Sequence, residues 1–166
     1  MPDRRIARTT HLRVLANAFV VTLIFTTASF SSVQAQTTPT SAERKELLEV
    51  RQLVWESYFR NDQVKLKELI GEDFITINPG EQHWQNHNEF VAGAKAFADH
   101  QGKLVSLSFP RTEIQDFGDV AVLYSLVQIT MESQGKQDSL SCRSTEVFQR
   151  RGGRWVNTGA HVDSGQ

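Results

Sequence analysis

Residues able to do chemistry are scattered along this chain, and each group points to a different reaction. His83 and His87 stand four apart with Glu81 and Glu89 nearby, a spacing that turns two imidazoles to one helical face as zinc ligands. The context argues otherwise: Pro79-Gly80 precedes and Asn86 reads as a helix cap, so His83 falls in a loop and no metal site is expected. Arg143 and Thr145 alternate along one β-rich run, and His161 and Asp163 along another. Alternate strand residues share a face, so the four could form a polar patch for an anionic or hydroxylated ligand. With Asp163 or Glu146 as its partner, His161 could instead serve as an acid or base. Outward alternatives stand beside these: Arg143 paired with Glu132 or Asp138, and His161 as a hydrogen-bonded residue at the end of the sheet. Asn78 either orients a ligand carbonyl or hydroxyl or stabilises the turn at Pro79. Cys142 has no Lys or His beside it and reads as a small buried apolar residue. A G-x-S-x-G turn and a glycine-rich phosphate loop are both missing from the sequence.

The elements that must position these residues begin after an export-like segment. Arg4, Arg5, Arg8 and Arg13 precede an apolar stretch, densest from Ala18 to Phe25, and Val33-Gln34-Ala35 offers a cleavage site. Residues 1–35 therefore read as a secretory signal cleaved after Ala35, giving a secreted or periplasmic protein. Asn17, Thr22, Thr26 and Thr27 break the apolar run that a membrane anchor needs. Without those 35 residues the chain has 131, with 14 basic and 18 acidic side chains and a net charge of −4. That length suits one domain with its own core, and that charge excludes nucleic acid as an expected partner. One cysteine cannot form an internal disulfide, so the fold must rest on its core.

Residues 36–40 read as a linker and 41–165 as a single domain. Thr40 and Glu43 have capping-box spacing, and Leu47, Val50, Val54 and Tyr58 make a helical apolar face ending near Arg60-Asn61. Asp62 is placed to cap a shorter helix with Gly71 as its stop. Residues 73–78 alternate as a strand, Pro79-Gly80 turns the chain, and Asn86 with Glu89 opens a third helix with Phe90, Val91, Ala94 and Phe97 on its buried stripe. Strands are expected over 103–109, 111–117, 119–132, 139–150 and 154–163, joined by turns at 117–119, 133–135 and 151–153. Helices first and an antiparallel meander afterwards give an α+β fold.

This order of elements, with Gly71-Glu72-Asp73-Phe74 before the first strand and Pro79-Gly80 after it, resembles the nuclear transport factor 2-like (NTF2-like) superfamily, which includes ketosteroid isomerase and SnoaL-like cyclases. Gly118-Asp119-Val120-Ala121-Val122, Arg143 to Phe148, Gly153-Arg154-Trp155-Val156 and His161 to Ser164 resemble its DUF4440 group. The resemblance spans nearly all of 41–165 and implies a sheet curved around the first helix, a conical pocket for a small, largely apolar molecule, and a homodimer packed through the outer sheet face. Trp55, Tyr58, Phe59, Phe74, Trp84 and Tyr124 are candidate pocket aromatics on that reading, though a helical aromatic stripe equally suits a core. Ketosteroid isomerases hold a tyrosine, a basic aspartate and a protonated aspartate in the pocket. By resemblance those positions fall at Val54, Asn78 and Thr145, or Glu146 with a slip of one residue. A valine cannot donate a hydrogen bond and an asparagine cannot take up a proton, so that chemistry is not expected.

Three functions remain on these grounds: an exported binding domain with Trp55, Tyr58, Phe74, Asn78, Trp84, Tyr124, Arg143, Thr145 and His161 around the ligand; a SnoaL-like enzyme using His161 with Asp163 or Glu146; and a non-catalytic dimerisation or partner-docking module. No cofactor is expected in any of them.

Overall fold

Side chains at three places set where helices begin. Thr40 Oγ1 accepts the Glu43 amide at 3.2 Å while the Glu43 carboxylate takes the Thr40 amide at 3.0 Å, a reciprocal cap that opens α1 (Ser41–Phe59). Asp62 accepts the Lys65 amide at 3.0 Å and opens α2 (Gln63–Leu69). Asn86 and Glu89 repeat the reciprocal cap ahead of α3 (His87–Asp99). The computed structural model describes residues 40–164. The export segment expected over 1–35 and the linker as far as residue 39 lie outside the described residues. Among the described residues, no helix is long and apolar enough to cross a membrane.

Strand β1 (Ile70–Ile77) follows α2 directly. Gly71, expected to stop that helix, is instead the second residue of the strand. Its role is close approach: a Cβ there would lie 2.9 Å from Arg151 Nη1 and closer still to the Asp73 carboxylate, and these two side chains form a bidentate ion pair at 2.7 Å. The short β2 (Gln85–Asn86) precedes α3, and four long strands complete the domain: β3 (Lys103–Asp116), β4 (Val120–Ser133), β5 (Lys136–Arg151) and β6 (Arg154–Ser164). The stretches 103–109 and 111–117, expected as two strands, are one strand whose register shifts between Ser108 and Arg111. Pro110 falls inside that shift. It lacks an N–H for the ladder, and β3 is an edge strand, where the loss costs least.

The sheet runs in the order β2-β1-β6-β5-β4-β3, with β1 parallel to β6 and every other pair antiparallel. Helix α1 is gripped at two points of its apolar stripe. Leu47 packs with Ala121, Leu123, Phe148 and Trp155, and Val54, two turns on, packs with Leu66, Ile70, Phe74, Val91 and Ala94. The result is the expected α+β cone, three helices on a curved, mostly antiparallel sheet.

One irregularity decides which way the end of the sheet faces. Phe148 of β5 pairs with Asn157, but the adjacent Val147 pairs with Gly159, which leaves Thr158 as an extra residue in β6. A bulge of one residue exchanges the two faces of everything beyond it. Trp155 and Asn157 are buried beneath the helices, and after the bulge it is Ala160 and Val162 that continue this inner face, while His161 and Asp163 turn outward.

Candidate functional site

A cavity of about 280 Å³ lies between α1, α3 and the inner face of the sheet. Val54, Trp55, Tyr58 and Phe59 line it from α1, and Phe90 and Phe97 from α3. These rings brace one another: Tyr58 and Phe90 centroids are 4.6 Å apart, Phe74 and Phe90 4.9 Å, Phe59 and Phe97 5.2 Å. Aromatic packing thus builds the wall without closing the space behind it. The sheet adds Phe74 and Thr76 from β1, Ile129 and Met131 from β4, Leu140, Cys142 and Glu146 from β5, and Asn157, Ala160 and Val162 from β6. Asn78, Pro79 and Glu81 supply the segment after β1.

Within this apolar wall the polar groups are few. Glu146 is fully enclosed, at 1% exposure. Its Oε1 accepts the Trp55 indole Nε1–H at 3.0 Å and the Asn157 amide at 3.4 Å, and its Oε2 accepts the Ser144 hydroxyl at 3.2 Å. Burial pushes the carboxyl up to about 7, against the pull of the Trp55 hydrogen bond, the Arg51 charge and the Ser144 hydrogen bond. Arg51 precedes Trp55 by one helical turn. It is buried, donates to Thr112 at 2.6 Å and Ser125 at 3.0 Å, and lies 3.6 Å from the Phe109 ring centroid. Burial also raises the Tyr58 hydroxyl, with the Glu81 charge adding to it, and raises the Cys142 thiol, so both stay protonated at neutral pH.

The nine side chains expected around a ligand divide between two places. Trp55, Tyr58, Phe74 and Asn78 line the cavity. The Asn78 amide donates to Gln85 at 3.1 Å and to Glu81 at 3.5 Å, so it also ties the segment after β1 together. Trp84, Tyr124, Arg143, Thr145 and His161 do not line it. Trp84 is 68% exposed in the segment between β1 and β2. Tyr124, Thr145 and His161 are directly paired across β4, β5 and β6 on the outer face, where Tyr124 donates to Gln115 at 3.1 Å. Arg143 pairs there with Asp163 at 3.0 and 3.2 Å, rather than with Glu132 or Asp138.

Two physical reasons account for the division. The Thr158 bulge reverses β6, carrying His161 and Asp163 outward. On β5 the inward positions Ser144 and Glu146 are polar, so alternation of polarity does not mark the buried face. A usable signal did exist: Cys142 read as buried, followed at period two, gives 144, 146 and 148 as inward and 143 and 145 as outward. Of the residues that the ketosteroid isomerase resemblance singled out, Val54, Asn78 and Glu146, the alternative reached by a slip of one residue, line the cavity, and Thr145 does not. The pairing of His161 with Glu146 fails because the two face opposite sides of the sheet. His87, half of the zinc-like pair, is buried with Nδ1 2.9 Å from the Gly71 carbonyl oxygen, and His83 lies in the preceding loop.

Comparison with protein families matches residues 49–162 to a SnoaL-like domain. Among solved structures, the chain is similar to an NTF2-like protein from Cytophaga hutchinsonii at 17% identity, covering 74% of this chain and 98% of that one with a TM-score of 0.64. It is similar to a putative calcium/calmodulin-dependent protein kinase II association domain from Xanthomonas campestris, at 15% identity, 80% and 96% coverage and a TM-score of 0.65. A protein of unknown function with a cystatin-like fold from Nostoc punctiforme matches at 14% identity, 78% and 96% coverage and a TM-score of 0.62. Identities this low carry the fold alone. No curated protein matches the chain.

Proposed function

The chain belongs to the SnoaL-like domain family, and we propose that its cavity is a binding site for one small, largely apolar molecule. The observation that carries this reading is the cavity itself: a space of about 280 Å³ held open by braced aromatics, with an enclosed carboxyl group in its wall. Cavities near half that volume accept benzene, so the ligand should have roughly a dozen non-hydrogen atoms, at the small end of ordinary ligand sites. A module serving only as a docking surface has no use for such a space, because filling it with larger side chains would stabilise the fold.

Catalysis by His161 is not part of this proposal, since neither of its expected partners meets it in the cavity. Export is part of it, resting on the residue pattern of 1–35. So is a homodimer through the outer face, where Tyr124 and Leu126 are both exposed between the Arg111–Glu113 and Arg143–Asp163 ion pairs.

Native mass spectrometry of the protein purified from the cells that make it tests the reading. A retained adduct, released on unfolding, is the expected result. A bare chain mass, together with no response of intrinsic tryptophan fluorescence to small aromatic hydrocarbons, would sink it.

A further inference from the structure

One residue of the cavity wall carries a buried polar atom that the protein leaves without a partner. Among the described residues, three buried side-chain atoms lack a hydrogen bond, namely Arg51 Nε, Thr76 Oγ1 and Trp155 Nε1, and of these residues Thr76 alone lines the cavity. Leaving a buried hydroxyl unpaired is costly in a folded protein, and such groups call for an explanation.

The sheet register supplies one. Thr76 pairs with Ala160 on β6, and Ala160 pairs with Glu146 on β5. The three residues form a row across the inner face, with two polar side chains flanking the smallest side chain of the wall. Two strand spacings separate Thr76 from Glu146, about 10 Å between Cα atoms, too far for a direct bond from a short threonine. One oxygen atom making two hydrogen bonds spans about 5.5 Å, and the longer Glu146 chain brings that within reach over Ala160.

The inventory of Glu146 narrows what the oxygen can belong to. A carboxylate has about four acceptor sites, and Trp55, Asn157 and Ser144 use three of them. The remaining site accepts a hydrogen bond when the group is ionised and offers a proton when it is not. A hydroxyl can both donate and accept, so it satisfies Glu146 in either form and Thr76 as well. A ketone can only accept. A carboxylate would meet a carboxyl group inside an enclosed site, and Glu81, the other acidic residue of the wall, adds to the repulsion. The positive charge that opposes Glu146 is already supplied by Arg51, so a cationic ligand is not called for.

Resting on the cavity reading above, we propose that the row Thr76–Ala160–Glu146 recognises the single hydroxyl of an uncharged alcohol or phenol and discriminates against carboxylates of the same skeleton. This reverses the preference for anions that an inward Arg143 and His161 would have given.

Three probes of one ring system test it by titration calorimetry with the full domain: naphthalene, 2-naphthol and 2-naphthoate. Naphthalene binding tests the cavity. The expected order is 2-naphthol about tenfold tighter than naphthalene, the size of a hydrogen bond to an otherwise unsatisfied group, and 2-naphthoate at least tenfold weaker than 2-naphthol. Thr76→Val should erase the advantage of the naphthol while leaving the unfolding midpoint equal to or above that of the wild type, and Thr76→Ser should keep the advantage. If naphthalene binds as tightly as 2-naphthol, if the naphthoate matches it, or if Thr76→Val preserves the preference, the hydroxyl assignment is overturned and the cavity stands. Binding of none of the three overturns the cavity reading and this inference with it.

Discussion

The indole Nε1–H of Trp55 donates to Oε1 of Glu146 at 3.0 Å, joining helix α1 to strand β5 across a span of 91 residues. This bond places a titrating carboxyl group against a fluorescent ring. Glu146 sits near 7, against 4.5 for the free group, chiefly because it is buried, so the folded state holds a proton that the unfolded chain releases. With the folded value raised, the stabilising contribution is complete below about pH 4.5 and is lost as pH rises through about 7. The loss amounts to roughly 3 kcal/mol. Denaturant unfolding of wild type and Glu146→Gln between pH 4.5 and 8 should show stability falling over that window in the wild type only. Parallel slopes for the two proteins would contradict the placement of Glu146 among Arg51, Trp55, Ser144 and Asn157.

Removing the carboxyl group altogether should be worse than neutralising it. Glu146→Ala strands the Trp55 and Asn157 donors in an enclosed wall, which costs on the order of 2–4 kcal/mol, whereas Glu146→Gln keeps an acceptor and costs about 1 kcal/mol or less. Thermal and denaturant unfolding at pH 6 distinguish the two. Equal losses would mean that the donors find other partners.

Gly71 gives a prediction that differs between two backgrounds. Replacing a strand glycine by alanine ordinarily stabilises by about 0.4–1 kcal/mol, and the exposed Asp73–Arg151 pair is worth about 1 kcal/mol at most. In the wild type, Gly71→Ala must push that pair aside, which cancels the gain and leaves the change close to neutral. In an Asp73→Ala background the obstacle is smaller, and the same change should be stabilising. A double-mutant cycle on unfolding free energy reads the coupling; additive effects would refute the close-approach account.

Much of the domain was legible from local chemistry. Thr40 with Glu43, Asp62, and Asn86 with Glu89 announce their helices because a cap is settled within four residues. Gly71 misled because a glycine after an apolar helical run looks the same whether it ends the helix or makes room for an ion pair between Asp73 and Arg151, residues 78 apart in the chain. The site was legible on its helical side, where Trp55 and Tyr58 follow the stripe of α1, on β1 at Phe74 and just after β1 at Asn78. It was not legible on β5 and β6. On β5 the polar Ser144 and Glu146 interrupt an otherwise apolar inner face, and the Thr158 bulge, visible only once Val147 and Phe148 have found their partners, decides which side His161 takes.

That reversal has a direct functional consequence. Arg143→Ala and His161→Ala alter the outer face, and each should leave 2-naphthol affinity within about twofold of wild type, because an exposed change far from a contact is energetically independent of it. A tenfold loss in either would return those residues to the site. Leu126→Glu, on the same face, should shift the sedimentation coefficient from dimer to monomer; an unchanged value would remove the outer-face dimer.

The central claim is that the space above Ala160 is a site for a ligand. Calorimetric titration of 2-naphthol into wild type and Ala160→Leu tests it most directly, with the unfolding transition recorded for both. Saturable binding at one molecule per chain in the wild type, weakened at least tenfold in a folded Ala160→Leu, is the predicted result; undiminished binding by the folded variant would contradict it.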